Sequence, residues 1–320
     1  MSVAFSKANQ FQYFDDIVAQ SGKMQTLLET AKTFASLDAP LLIEGETGTG
    51  KELLAKACHH FSQRKQQKFI AVNCAGLPAE DAESEMFGRA NEDNAHTGFF
   101  EYANGGTVLL DSVAELPLLL QAKLLRFLND GTFRRVGEEQ EHYSDVRVIC
   151  TSQTPLQQAV HDGKMRSDLF HRLAVLTLHI PPLRERQADI PFLTDIFLQQ
   201  ISQTLAIPTP KWDQNFINYL LEQHWQGNVR ELYNALYRAC CLTKDGKLTI
   251  EQLNLSQPQT FSLDLDQFGN ESLEQIMHNF EAMVLTKFYQ QYPSSRKLAN
   301  RLGLSHTAVA NKLKLYGIGK

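Results

Sequence analysis

The stretch GETGTGKE (45–52) constrains this 320-residue chain more than any other, because it dictates what must stand on either side of it. It has the spacing G-x-x-x-x-G-K. Glycines let backbone N–H groups close around a phosphate, and Lys51 brings a positive charge to the same place. Such a loop needs a strand running in and a helix running out. Both are present: LLIE (41–44) is apolar until its last residue, and the residues up to Phe61 have helical apolar spacing. Further apolar runs, FIAVNC (69–74), TVLLD (107–111) and VRVICTS (146–152), alternate with helical patterns such as LLLQAKLLRFLNDG. This alternation predicts an α/β fold, a parallel sheet covered by helices on both faces.

The expected phosphate-binding residues are Gly45, Glu46, Thr47, Gly48, Thr49, Gly50, Lys51 and Glu52. Asp111, closing an apolar strand, is the expected Mg²⁺ ligand for bound ATP. Two positions are unusual. Glu52 stands where Ser or Thr commonly holds the metal, and Ser112 follows Asp111 where a hydrolysing enzyme keeps a carboxylate. General base catalysis is worth ~10²–10⁴ in rate, and serine is no base near neutral pH. Glu115 can take over only if the segment turns helical. Binding without brisk turnover is the expectation, at most a weak or vestigial ATPase.

After Pro181-Pro182 the strands stop. ADIPFLTDIFLQQISQTL, WDQNFINYLLEQHW and NVRELYNALYRACCLT read as successive helices of a small all-α lid. The organisation expected is a leader (1–14), an α/β nucleotide-binding subdomain (15–182), a lid (183–255), a polar linker (256–270) and a DNA-binding domain (271–320). Leu273, Ile276, Met277, Phe280, Val284 and Phe288 recur at helical spacing, and the helix they form is a candidate dimerisation surface. The five cysteines have no metal-ligand spacing and are read as reduced thiols. With neither a signal core nor a membrane-length apolar run, a cytoplasmic protein is expected.

Net charge is −5, yet residues 294–320 carry Arg296, Lys297, Arg301, Lys312, Lys314 and Lys320 and no acid. A basic end on an acidic body marks a local nucleic-acid contact. SSRKLANRLGLSHTAVANKLKL (294–315) fits a helix-turn-helix, with Ala299 at the helix crossing and Gly303 at the turn. Leu302, Leu304, Val309 and Leu313 are the expected core, and Ser305 the cap of the reading helix. His306, Thr307, Asn311 and Lys312 are expected to face outward, giving with Arg296, Lys297 and Ser305 the DNA-contacting set.

The wording also carries a resemblance. GETGTGKELLAKACH, VNCAGLP, ESEMFG, GGTVLLD, FRRVGEE, DVRVICTS, MRSDLFHRL, IPPLRER and GNVREL, in order over 41–234, resemble the AAA+ core of bacterial enhancer-binding proteins, in which Glu also follows the P-loop lysine. That resemblance implies Asn73 as the residue positioning a catalytic glutamate, Ser152 at the sensor position, and Arg166 and Arg172 as arginine fingers acting in trans. It further implies Arg230 as the nucleotide-sensing lid arginine, with Asp15 to Val18 flanking adenine. One departure is plain: ESEMFG (83–88) runs into RANEDNAHTGFFEYANGG, without the GAFTGA loop that grips the sigma factor.

YPSSRKLANRLGLSHTAVANKLKLYGI resembles the DNA-binding domain of the TyrR family, tyrosine-responsive regulators of aromatic amino-acid genes. The chain begins almost at the AAA+ core, so it reads as a short form without the regulatory region of longer members. The resemblance implies a repressor with ATP and tyrosine as effectors, a palindromic double-stranded operator, a dimer driven to a hexamer by ligand, and a doubtful contact with RNA polymerase. The alternative, an ATP-hydrolysing sigma-fifty-four activator, needs a gripping loop and a catalytic glutamate.

Overall fold

The computed structural model describes residues 13–78, 80–90, 95–243, 245–253 and 272–318, and the chain divides into two units, 1–255 and 256–320. In the first unit, α1 (Gly22–Ala35) precedes β1 (Leu41–Glu44) and α2 (Lys51–Phe61). Next come β2 (Phe69–Asn73), α3 (Ala82–Phe87), α4 (Phe99–Tyr102) and β3 (Thr107–Asp111). After α5 (Leu118–Asp130), the two-residue strands β4 (Thr132–Phe133) and β5 (His142–Tyr143) form an antiparallel pair. The core closes with β6 (Arg147–Ser152), α6 (Leu156–His161), α7 (Ser167–Leu173) and β7 (Leu176–His179).

The main sheet is parallel, in the order β2-β3-β6-β1-β7. Alternate residues feed opposite cores, as the two-residue strand period demands. Leu41, Ile43, Leu109 and Ile149 pack with α1 and α2, while Leu42, Val108, Leu110, Val148 and Cys150 pack with α3 to α7. Burying each such side chain stabilises the fold by roughly 1.5–3 kcal/mol. FIAVNC is an edge strand, only partly covered, rather than the buried one its composition suggests. Phe14, assigned above to the leader, is buried in the α1–α2 core, edge-on to Phe61, so the packed domain begins before residue 15.

The lid comprises α8 (Ile190–Leu205), α9 (Gln214–Glu222), α10 (Asn228–Leu242) and the one-turn α11 (Ile250–Leu253). Its own core gathers Leu183, Ile201, Phe216, Trp225, Leu232 and Leu236, and Val18 packs against it. The proposed linker lies outside the described residues.

The second unit consists of α12 (Leu273–Gln291), α13 (Ser295–Leu302) and α14 (His306–Leu315). Leu285, Leu298, Ala299, Val309 and Leu313 form its core. Gly303 ends α13 at φ +67, a left-handed cap that glycine adopts without strain. Leu304 corrects the expected core: it follows that turn, is exposed, and Leu298 fills the interior instead. The far half of α12 (Leu285, Phe288, Tyr289) serves this core, while Met277 is exposed and the side chains of Leu273, Ile276 and Phe280 lie outside the described residues. Among the described residues no helix is long and apolar enough to cross a membrane.

Candidate nucleotide site and nucleic-acid interface

The loop 45–50 leaves β1 beside β6, with Gly45 N–H donating to the Ser152 carbonyl at 3.2 Å. Gly50 caps α2 at φ +105. Gly48 lies directly under the lid: a Cβ there would stand 2.3 Å from the Gly227 carbonyl oxygen and 3.0 Å from Arg230 Cβ. Lys51, first residue of α2, is buried, and its Nζ donates to the carbonyls of Gly45 (2.6 Å) and Glu46 (3.0 Å). Burial lowers its pKa and Arg230 adds to that, against the opposing charge of Asp111. Lysine, aspartate and lid arginine therefore share one electrostatic site.

Asp111 ends β3 in register with Asn73 at the end of β2. Its Oδ1 accepts a hydrogen bond from Thr151 Oγ1, which in turn accepts the Ser112 N–H at 3.0 Å. The residue against Asp111 is thus Thr151, the neighbour of Ser152. Parity decides this: Asp111 and Thr151 continue the face of Leu109 and Ile149, toward the α2 side, whereas Ser152 Oγ donates to the Thr154 carbonyl. Ser112 is left-handed at φ +61. Glu115 closes a short 3₁₀ turn, Val113–Glu115, so the segment does turn helical, with Glu115 exposed. Asn73 Oδ1 accepts the Ala75 N–H and caps the turn after β2.

The remaining loop side chains face other partners. Thr47 Oγ1 donates to Gln153 Oε1 (2.9 Å), and Thr49 Oγ1 to the Glu46 carbonyl (2.8 Å). Glu52 is exposed and paired with Lys56 one helical turn on, and the loop's own Glu46 is held by Arg184, so Asp111 is the candidate carboxylate for the metal. That suits Mg²⁺, which binds through one or two carboxylates plus phosphate oxygens. A glycine loop, a buried lysine and an aspartate whose charge acts on that lysine fit a magnesium nucleotide.

Glu46 contributes its charge elsewhere than expected. Arg184 grips its carboxylate through two guanidinium N–H groups (2.6 and 2.8 Å), and Asn228 Nδ2 adds a third bond at 3.1 Å. These bonds hold the Glu46 pKa down at about 2. Asn228 Nδ2 also donates to the Thr47 carbonyl, and the buried Arg186 donates to the Thr49 carbonyl at 2.9 Å. The lid therefore braces the phosphate loop directly. Arg184, Arg186 and Asn228 lie within IPPLRER and GNVREL, whose local pattern carries no sign of these long-range partners.

Arg166 is exposed and paired with Asp168 at 2.8 Å. Arg172, also exposed, donates to the Leu128 carbonyl at 2.7 Å. Arg230 is exposed on the first turn of α10.

In the second unit Ser305 Oγ accepts the Ala308 N–H and caps α14. Arg296, Lys297, Thr307 and Asn311 are exposed, and His306 Nε2 lies 2.9 Å from Ser295 Oγ. Lys312 departs from expectation. It is half-buried, and Glu281 of α12 accepts hydrogen bonds from both Lys312 Nζ and the Tyr316 hydroxyl. The exposed basic residue on the far turn of α14 is Lys314.

Comparison with known proteins extends this picture. Residues 17–179 match a sigma-54 interaction domain, 184–260 an AAA+ ATPase lid domain, and 270–319 a helix-turn-helix domain. The chain is 62% identical over 318 residues to the HTH-type transcriptional regulatory protein TyrR of Haemophilus influenzae, covering 99% of this chain and 100% of that protein. It is 50% identical over 313 residues to TyrR of Enterobacter agglomerans, covering 96% of this chain and 60% of that protein's length. Among solved structures, NtrX from Brucella abortus in complex with ATP matches at 32% identity with a TM-score of 0.71, over 94% of this chain and 69% of that one. With an AAA+ core, its lid and a helix-turn-helix, the chain belongs to the TyrR family of HTH-type transcriptional regulators.

Proposed function

We propose that this regulator represses aromatic amino-acid genes by binding palindromic operators as a dimer, with ATP–Mg²⁺ and tyrosine driving a larger assembly, and that it holds ATP rather than consuming it. The observation that carries the nucleotide half is the position after Asp111. Ser112 offers no base, and its amide is engaged by Thr151. Lys51 and the loop glycines hold phosphate, Asp111 orients the metal, and Arg230 reports the nucleotide to the lid. Asn73 has no glutamate at position 112 to place and serves the turn it caps; Glu115, on the 3₁₀ turn that follows, is exposed and is read as facing solvent rather than as the base. Arg166 and Arg172 exchange Asp168 and the Leu128 carbonyl for a neighbouring protomer's phosphate.

The DNA half rests on the exposed Arg296, Lys297, Thr307 and Asn311 and the capped start of α14. One such module reads one half-site, so two copies spanning about one turn of duplex, ~34 Å, are needed. Tyrosine is proposed from family membership. Hydrolysis is tested by steady-state turnover of the purified chain against Ser112→Glu: near-zero turnover rising in the variant is expected, and brisk wild-type turnover that depends on Lys51 sinks the holding model. Band shifts on aromatic-gene operator DNA, with and without ATP and tyrosine, test the effector. Unchanged binding and oligomer size would remove tyrosine from the proposal.

A further inference from the structure

Thr151 lies at the penultimate position of β6, wholly buried, and both hydrogen-bonding functions of its hydroxyl are spent at the nucleotide site. Its proton goes to Asp111 Oδ1, and its oxygen accepts the Ser112 N–H. A hydroxyl has a single proton, so donation to Asp111 fixes its rotor and leaves the lone pairs for the amide. One side chain therefore sets both the direction of the Asp111 carboxylate and the left-handed turn at Ser112. That turn strains a non-glycine residue, which the amide bond helps to offset. Ser152 cannot substitute, because it sits on the other face of the strand and is bonded to the Thr154 carbonyl.

We propose that Thr151 is a positioning residue for the divalent cation: it holds Asp111 in the orientation that binds Mg²⁺, so cation-dependent retention of nucleotide rests on its hydroxyl. The proposal rests on the nucleotide-holding reading above. Groups that orient a metal ligand without touching the metal are typically worth 10–100-fold in affinity.

Two substitutions separate orientation from packing. Thr151→Val keeps the shape and removes the hydroxyl; Thr151→Ser keeps the hydroxyl. The full chain is titrated with a fluorescent ATP analogue in Mg²⁺ and in EDTA. In Thr151→Val, affinity in Mg²⁺ falls by about 10–100-fold while affinity in EDTA is unchanged; Thr151→Ser behaves as the unaltered chain. Without nucleotide, amide hydrogen exchange at Ser112 accelerates in Thr151→Val alone. A full Mg²⁺ enhancement in Thr151→Val overturns the proposal, as does an equal loss in Mg²⁺ and EDTA or an unchanged Ser112 exchange rate. Failure of the parent reading looks different: brisk Lys51-dependent turnover by the unaltered chain sinks the holding reading whatever Thr151 does, and an unaltered chain that binds no nucleotide in either buffer sinks the site itself.

Discussion

Asn228 gives the sharpest test of how the lid is joined to the phosphate loop. It is fully buried at φ +54, and its amide ties three segments together. Oδ1 accepts the Leu183 N–H at 2.7 Å, while Nδ2 donates to Glu46 Oε2 and the Thr47 carbonyl, both at 3.1 Å. Asn228→Ala strands the buried Leu183 N–H, at roughly 1–3 kcal/mol, and removes two donations at about 1 kcal/mol each. It also leaves alanine in a left-handed conformation, at about 1 kcal/mol. Because these contributions share atoms they do not simply add, and the expected loss is about 4 kcal/mol. Asn228→Gly makes the same polar loss without the backbone strain, so it is milder by about 1 kcal/mol. Guanidinium denaturation followed by Trp212 and Trp225, the chain's two tryptophans, measures both, since both sit in the lid region. If glycine proves worse than alanine, or if both variants stay within about 1 kcal/mol of the unaltered chain, the bracing described here is wrong.

Three further outcomes follow from particular groups. Burial holds the His59 pKa down at about 4 against an ordinary 6.5. The unfolded chain therefore takes up a proton that the native one refuses: this stability is complete above pH 6.5 and is lost as pH falls toward 4, by about 3 kcal/mol. Unfolding free energy measured against pH flattens over that window in His59→Gln, and an already flat wild-type profile would count against it. Lys314→Ala reduces the salt slope of operator binding by about 0.9, one phosphate contact, whereas Lys312→Ala, its charge already engaged by Glu281, weakens the unit's stability more than its slope; the opposite ranking in salt-titrated band shifts would restore Lys312 as the phosphate contact. Lys51→Ala abolishes the response of oligomer size to ATP, measured by sedimentation, and leaves basal DNA binding intact.

The parts of the molecule written in local patterns were legible in the sequence. The loop 45–52 has an unmistakable spacing, and the strands at 41–44, 107–111 and 146–152 are apolar because both their faces are covered. The edge strands carried weaker signals. β2 alternates in exposure, and β7, holding Thr177 and His179 in four residues, has too little pattern to stand out. Thr151 and Ser152 show why the site was harder. Both are buried hydroxyl residues at a strand end, and only the register that sets β6 against β3 decides which of them meets Asp111. The pairing of Lys312 is hidden for a similar reason: its place on the helix face is periodic, but its partner Glu281 lies 31 residues away. Long-range pairing leaves no local trace.

A regulator that holds its nucleotide must transmit the ligand's presence without a chemical step, and the lid contacts supply a route. A ligand shifts a conformational equilibrium only by the difference in its affinity for the two states. Here the loop that receives phosphate is itself bonded to the lid at Glu46, Thr47 and Thr49. Any adjustment of those residues around a bound nucleotide must therefore be shared with Arg184, Asn228 and Arg186, and through them with α10. Glu46, kept ionised well below physiological pH, keeps that connection charged. A hydrolysing machine resets such a signal by breaking a bond. On the proposed reading this chain resets it by dissociation, so the duration of the regulatory state equals the nucleotide's residence time. Selection on such a site then acts on how firmly Asp111 and Lys51 hold, and a catalytic carboxylate at position 112 would only shorten the message.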